Sequence, residues 1–441
     1  MSINYLDISP ETVCECGKCH SAQIDDVIVK NGAVNELPSV IARYEAKKVF
    51  VVADVNTYDA AGKTVCDILD KNNICYTKYI FTDKNLEPDE KSVGSAFMHF
   101  DNSCDTIVAV GSGVINDICK IVANVSGLPY IIVGTAPSMD GYASATSSMA
   151  RDGVKVSLNS KCPNVIIGDI DIVKNAPMRM LQAGLGDMLA KYVGVCEWKI
   201  ANVISGEYYC ERIASLVRTA LKKCVDNADG LLKRDDGAVA AVFEGLIITG
   251  LAMSYAGVSR PASGGEHYMS HVWDMRALEF GLPADLHGIQ CAYATLLSAR
   301  LYQKLKTITP DKQKALNYVN AFDFDDWSNE LRAFLGKCAE PMIALEQKEQ
   351  KYNKDSHAKR IEVIIDKWQD IVNAIDTEMP SGDEIFELLS KIGAPKTAEE
   401  IGVDPKILPI TFKATKDIRD KYVLSRLVWD LGIIDQFANS L

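Results

Sequence analysis

The sequence predicts an α/β protein in which an N-terminal parallel-sheet domain, residues 1–175, is followed by an all-helical domain, residues 176–441. Two observations favour this class. In the first third of the chain, short β-branched apolar runs alternate with helical segments, which is the pattern of βαβ units. After the turn at Asn175-Ala176-Pro177, only long helical patterns follow.

The predicted strands of the first domain are residues 49–53, 75–81, 106–110 and 130–133. Each run is rich in β-branched or aromatic residues, and a helical segment separates it from the next. Two later runs, 154–158 and 165–169, are expected to pair with each other as a small hairpin that closes the domain.

The helical domain is predicted to contain helices at residues 179–196, 208–227, 237–256, 265–280 and 288–306. The Gly281-Leu282-Pro283 step separates the last two, because glycine and proline end helices. Residues 307–360 are polar and include the charge run EQKEQKYNKDSHAKR, which is typical of the solvated face of a helix. We interpret them as an elaboration within the helical domain.

The composition excludes several classes of protein. Hydrophobic residues make up 48% of the 441 residues, which excludes a chain that is mainly disordered. Lys and Arg number 47 against 59 Asp and Glu, giving a net charge of −12. This balance disfavours nucleic acid or an anionic membrane as the main partner, since both require a basic face. A small anionic substrate stays compatible, because a few cations in a cleft suffice to bind it.

The cysteines and the chain start predict a cytoplasmic protein. Thirteen cysteines follow no framework spacing, and residues 1–13 contain neither a basic nor an apolar region of a secretory signal. The apolar stretch 239–258 is long enough to span a bilayer, but Glu244 interrupts it and flanking basic anchors are missing. We therefore predict a buried helix there and no membrane insertion.

The ends of three predicted strands indicate a dinucleotide site. The strand 106–110 enters Gly111-Ser112-Gly113 and then a helix, whose free N-terminal amides can hold a pyrophosphate. The longer G-x-G-x-x-G pattern is not met, since Asn116 occupies its third position, and a simple tight turn is the alternative. Asp54 ends an earlier strand, where a carboxylate can accept a ribose hydroxyl, and Gly134-Thr135 ends a later one.

A metal site is indicated by the histidines. Three of the six fall at His267, His271 and His287, and the first two share a helix face because they are four residues apart. Asp187, which we place near the start of a helix, lies among apolar residues and requires a partner. One carboxylate with two or three imidazoles is a plausible catalytic set with an open coordination position. The alternative is a core aspartate with unrelated surface histidines.

Five stretches of the chain resemble one enzyme family. AVGSGVINDICK, GTAPSMDGYASATSS, APMRMLQAGLGDMLAKY, SRPASGGEHYMSHVWDM and LHGIQCAYATLL are similar to the sn-glycerol-1-phosphate dehydrogenases, in their bacterial long form. More broadly they resemble the superfamily of glycerol dehydrogenases, iron-type alcohol dehydrogenases and dehydroquinate synthases. The resemblance implies a Rossmann-like N-terminal domain, a helical C-terminal domain and an active site in the cleft between them.

The resemblance also implies roles for individual residues. The metal ligands and catalytic residues fall on Asp187, His267 and His287, with His271 on the substrate side or behind the ligands. The dinucleotide would be bound by Asp54, Gly111, Ser112, Gly113, Asp117, Thr135, Ser138 and Ser144. The substrate pocket would include Asp140, and the candidate cations for a phosphate are Lys155, Lys161, Lys191 and Arg260.

The activity implied is hydride transfer between NAD or NADP and a small phosphorylated polyol, with one divalent ion of zinc, nickel or iron. Dihydroxyacetone phosphate would be reduced to sn-glycerol 1-phosphate by a homodimer. Alternatives are a glycerol dehydrogenase acting on the unphosphorylated substrate, a dehydroquinate synthase-like lyase, and a catalytically silent binding module. The lyase is disfavoured because its Gly-Gly-Lys loop after the fourth strand is replaced by Ser-Met-Asp-Gly.

One further cluster stands near the start of the chain: Cys14, Cys16, Cys19 and His20. Our preferred interpretation is an N-terminal hairpin, with an accessory metal site as the second. The segment also meets the C-x-x-C-H spacing of a c-type haem attachment site. We disfavour that third reading because an export signal is missing.

Overall fold

A six-stranded, fully parallel sheet followed by a helix-rich region confirms the predicted fold class. The computed structural model describes residues 13–441. The absence of a secretory signal was predicted from residues 1–13, and most of these lie outside the described residues. Two compact units are present. Unit 1 comprises the described residues up to Met188 together with Ser215–Val258, and unit 2 comprises Leu189–Ala214 with Ser259–Leu441. The domain boundary at 175–176 stays a prediction.

The strands are β1 Asp26–Lys30, β2 Lys48–Asp54, β3 Cys75–Phe81, β4 Thr106–Gly111, β5 Tyr130–Gly134, β6 Thr146–Arg151, β7 Val154–Asn159 and β8 Val165–Asp169. The large sheet has the order β1-β8-β5-β4-β2-β3, and β6 pairs with β7 in an antiparallel ladder. The predicted pairing of 154–158 with 165–169 is therefore wrong. Asp152 and Gly153, both at positive φ, form the tight turn that joins β6 to β7, whereas β8 is wholly buried between β1 and β5.

The helices are α1 Leu37–Arg43, α2 Val55–Thr57, α3 Lys63–Lys71, α4 Glu90–Met98, α5 Gly113–Ser126, α6 Ile170–Val173, α7 Met178–Leu189, α8 Lys191–Ser205, α9 Glu211–Asp226, α10 Asp236–Ala256, α11 Gly265–Phe280, α12 His287–Leu305, α13 Lys312–Ala321, α14 Phe324–Leu335, α15 Ala339–Glu349, α16 Lys354–Asp366, α17 Trp368–Glu378, α18 Gly382–Lys391, α19 Leu408–Ala414, α20 Leu424–Asp430 and α21 Ile434–Ala438. The predicted helix 179–196 is divided at Ala190 into α7 and α8. The polar segment 307–360 is helical, as α13 to α15 and the start of α16.

Helix α10 covers the sheet of unit 1. A Cβ added at Gly134 or Gly168 would come within 2.7 or 2.2 Å of the Phe243 ring, so only glycine lets the ring lie on β5 and β8. By length and composition α10 could cross a membrane, but 78% of its apolar window is buried. This burial agrees with the core helix predicted for the stretch 239–258.

Candidate active site

The order in which strands are added to the sheet of unit 1 reverses between β2 and β4. β3 lies on one side of β2, and the chain then crosses over to β4 on the other side, so the strand order reverses at this point. Open α/β sheets bind ligands at such a position, beyond the carboxyl ends of the strands. Asp54 ends β2 and Gly111 ends β4, which brings two of the predicted cofactor residues to this edge.

The first turn of α5 begins directly at this edge. Ser112 is the N-cap residue of α5, but its side chain makes no capping hydrogen bond. Instead its Oγ lies 2.7 Å from Ser138 Oγ, and the Thr135 amide donates to Gly111 O at 3.1 Å. The predicted Gly111-Ser112-Gly113 and Thr135–Ser138 segments are thereby brought together. A fourteen-residue helix that begins in this way presents N–H groups and a positive dipole end to an anion.

Local hydrogen bonds fix the side chain of Asp54. Its Oδ1 accepts the amides of Asn56 at 2.8 Å and Thr57 at 3.0 Å, which caps the short helix α2. The carboxylate is therefore held at the end of β2, where it can accept from a sugar hydroxyl.

Asp117 and Ser144 lie further along the same unit. Burial raises the pKa of Asp117, against the opposing effect of Lys120, whose Nζ is 3.2 Å away. Ser144 Oγ lies 2.9 Å from Thr146 Oγ1, at the start of the β6–β7 hairpin. Both side chains have protein partners in this structure.

Asp187 is fully buried in the last turn of α7. The prediction that it lies near the start of a helix is therefore wrong, because the helix begins at Met178 and ends at Leu189. Its Oδ2 accepts the amide of Asp140 at 2.9 Å, which links two of the predicted site residues within unit 1. A fully buried carboxylate is costly unless a cation or several donors compensate it.

Three of the histidines of unit 2, His267, His271 and His287, lie close together. His267 and His271 lie on α11, and His287 is the first residue of α12. The His287 ring centroid is 5.0 Å from that of His267 and 5.7 Å from that of His271. Because both α11 histidines contact the same ring, they share one face of the helix.

Hydrogen bonds fix the tautomers of the two central imidazoles. His267 Nδ1 donates to Glu266 Oε1 at 2.7 Å. His287 Nδ1 donates to Ser270 Oγ at 2.8 Å, and Ser270 in turn donates to Gln290 Oε1 at 2.6 Å. Each Nε2 then carries the lone pair, which is the form that binds a metal ion, and the carboxylate behind His267 increases its basicity.

Cys291 joins this group although the sequence analysis did not select it. It lies one turn after His287 on α12, and ligand atoms of Cys291, His267 and His287 lie within 4.8 Å of one another. Burial raises the pKa of the Cys291 thiol, but His267 and His287, when they are protonated, outweigh this effect and lower it overall. The i, i+4 spacing of His287 and Cys291 is the signal that could have identified it.

Comparisons with known proteins identify the family of the chain. A model of the family described as iron-containing alcohol dehydrogenase matches residues 28–177. A glycerol-1-phosphate dehydrogenase [NAD(P)+] of Halalkalibacterium halodurans is 33% identical over 316 residues, covering 70% of this chain and 79% of the relative. The chain belongs to the glycerol-1-phosphate dehydrogenase family. The Pyrococcus furiosus member of that family is 36% identical, over 63% of this chain and 78% of the relative.

Solved structures of other proteins have the same fold as this member of the glycerol-1-phosphate dehydrogenase family. A probable glycerol dehydrogenase from Sinorhizobium meliloti aligns with a TM-score of 0.58 at 17% identity, covering 95% of this chain and 98% of the other. At this identity the likeness concerns the fold alone. The resemblance and the fold predicted from the sequence motifs are thus confirmed.

The four predicted cations of this family member differ in their surroundings. Lys155 is half-buried on β7, Lys161 Nζ donates to Leu128 O at 3.0 Å, and Lys191 is fully buried at the start of α8. Arg260 is also buried. Its Nε donates to Glu207 Oε1 at 2.5 Å, its Nη2 pairs with the same carboxylate, and its Nη1 donates to Tyr422 O at 2.9 Å.

Replacing Glu266 by glutamine tests the contact behind His267. We expect the variant to bind its divalent ion about 10- to 100-fold more weakly, because a neutral amide no longer increases the basicity of the imidazole. Metal-binding titration of the apo-protein measures the change, with Glu279→Gln on the far part of α11 as the control. Unchanged metal affinity in Glu266→Gln would contradict this role.

Proposed function

We propose that the protein is a metal-dependent oxidoreductase that transfers hydride between NAD(P)H and dihydroxyacetone phosphate, giving sn-glycerol 1-phosphate reversibly. The observation that carries the proposal is the pair His267 and His287. The Nδ1 atom of each ring donates a hydrogen bond to a neighbouring side chain, which leaves Nε2 to bind the metal ion. Membership of the glycerol-1-phosphate dehydrogenase family supplies the substrate class.

In this proposal Asp187, His267 and His287 hold the metal ion. The donor set supports it: two neutral imidazoles with fixed tautomers, and a fully buried carboxylate in α7. Two imidazoles and one carboxylate leave a coordination position open and suit zinc, nickel or iron. When bound, the ion would polarise the substrate oxygen, and the nicotinamide would donate or accept the hydride.

The chain's own residues have three tasks around these groups. Glu266 and Ser270 hold the imidazoles in the metal-binding tautomer, as their distances of 2.7 and 2.8 Å indicate. The amide of Asp140 orients the carboxylate of Asp187. His271, whose ring stacks on that of His287 at an interplanar angle of 17°, is proposed to act on the substrate side.

The dinucleotide is proposed to lie at the sheet edge of unit 1. The first turn of α5 would hold the pyrophosphate with Gly111, Ser112, Gly113 and Ser138, and Asp54 would accept a ribose hydroxyl. Asp117, Thr135 and Ser144 complete the proposed set. A carboxylate at the position of Asp54 repels a 2′-phosphate, so we propose a preference for NAD over NADP.

Lys155, Lys161, Lys191 and Arg260 are the proposed cations for the substrate phosphate. Arg260 already neutralises Glu207, which favours a structural role for it, so the lysines are the first to test. The homodimer that the resemblance implies and the cytoplasmic location predicted from the cysteines and the chain start stay predictions.

A comparison of phosphorylated and unphosphorylated substrates tests the proposed function. We expect kcat/KM for dihydroxyacetone phosphate to exceed that for dihydroxyacetone by at least about 100-fold, since charge-assisted hydrogen bonds from cations to a phosphate contribute several kcal/mol. In Lys191→Met this ratio should fall, while the rate with dihydroxyacetone stays unchanged. Turnover of dihydroxyacetone alone would assign the protein as a glycerol dehydrogenase instead.

A further inference from the structure

The segment from Cys14 to His20 has no task in the proposed reaction. It folds as a tight turn in which the Gly17 amide donates to Cys14 O at 2.8 Å and the Cys14 amide donates to Lys18 O at 2.9 Å. Gly17 has a φ of +81°, which glycine adopts without strain. The turn returns the chain on itself and brings the side chains that flank it together, while the N-terminal hairpin stays a prediction.

Three potential metal ligands of unit 1 meet beside this turn: Cys14, Cys16 and His20. The Sγ atoms of the two cysteines and a ring nitrogen of His20 lie within 4.8 Å of one another. Cys14 is 8% and His20 only 1% exposed, while Cys16 is half-buried. Cys19, the second cysteine of the C-x-x-C-H spacing, is exposed and is not part of this group.

The orientation of His20 matches that of a metal ligand. Its Nδ1 donates to the carbonyl of Tyr255 at 2.9 Å, so the lone pair is on Nε2. Nε2 lies 3.3 Å from Cys16 Sγ. A sulfur and a nitrogen bound to one tetrahedral zinc ion are about 3.5 Å apart, given bond lengths of about 2.3 and 2.0 Å. A zinc-bound histidine typically donates its other ring N–H to a group such as a backbone carbonyl, which fixes the tautomer.

We propose that Cys14, Cys16 and His20 bind a zinc ion in addition to the divalent ion of the proposed reaction. Two thiolates and one imidazole favour zinc over magnesium, calcium or manganese, which prefer oxygen ligands. Water or a further side chain occupies the fourth position. The site is structural: it joins the N-terminal segment to Tyr255 at the end of α10, within unit 1.

Zinc content of full-length variants tests the proposal. Protein produced in zinc-supplemented medium is expected to lose one equivalent of zinc in Cys14→Ser and in Cys16→Ser, and none in Cys19→Ser. His267→Ala should retain this zinc. Failure of the proposed reaction and failure of this zinc site therefore give different patterns of zinc content among the variants. Equal zinc content in wild type, Cys14→Ser and Cys16→Ser would overturn the proposal.

Alkylation of the wild-type protein provides a second readout that requires no variant. We expect iodoacetamide to label Cys16 at least about ten times faster after a chelator has removed zinc, because a metal-bound thiolate is a poor nucleophile. Cys19 should react equally under both conditions and serves as the internal control. Identical labelling of Cys16 with and without chelator, measured by peptide mass spectrometry, would contradict zinc binding at this turn.

Discussion

His267→Ala is expected to remove the reactive metal ion and to lower kcat with dihydroxyacetone phosphate by at least about 1,000-fold. The imidazole supplies one of the proposed ligands, and a Lewis acid at the reacting oxygen contributes several kcal/mol to the rate. Metal analysis and NADH oxidation on the same preparation measure both effects. The fold should persist, since α11 contributes many other buried residues to unit 2.

Two further variants serve as comparisons for His267→Ala. His99→Ala, at an exposed position of unit 1, should leave metal content and activity unchanged. Asp187→Asn, which keeps the shape and removes the charge, should lose the metal as His267→Ala does. Normal metal content and turnover in His267→Ala would refute the ligand assignment.

Gly113→Glu is expected to weaken NADH binding by about 100-fold. The new carboxylate would occupy the first turn of α5, where it repels the pyrophosphate and competes for the same amides. A Cβ at this position meets nothing closer than Met139 Cγ at 3.4 Å, and an acidic residue stabilises a helix N-terminus, so the fold should tolerate the change. Fluorescence titration of NADH measures the affinity.

Gly113→Gln separates the effect of charge from that of size. It adds a side chain of the same length without the negative charge, so its affinity for NADH should lie much closer to that of the wild type. Both variants should retain their metal content. Equal NADH affinity in Gly113→Glu and the wild type would place the pyrophosphate elsewhere.

The central strands could be predicted from the sequence because each is a continuous run of buried apolar residues. β1 was not predicted: its side chains are only half-buried and acidic and basic residues stand at its ends, so the run DVIVK gives a weak signal. Its place is determined by pairing with β8, whose register joins Asp26 to Val165. Contacts between residues so far apart in the sequence leave no local sequence pattern.

The histidines of the candidate site were predictable because only six occur in the chain and two of them are four residues apart. Their neighbour Ser270 was not, since serine is common and its role depends on how α11 packs against α12, whereas Cys291 could have been selected from its i, i+4 spacing with His287. Arg260 shows the same limit: its partner Glu207 is 53 residues away in the sequence. Arg260 can be recognised in the sequence as a cation, but its ion pair with Glu207 cannot.

The product of the reaction tests the central claim most directly. Incubation with dihydroxyacetone phosphate and NADH should yield sn-glycerol 1-phosphate, identified by chiral chromatography against both enantiomers. A chelator should abolish its formation, and added divalent ion should restore it. Formation of the 3-phosphate enantiomer, or a rate that is unaffected by complete removal of metal, would contradict the account.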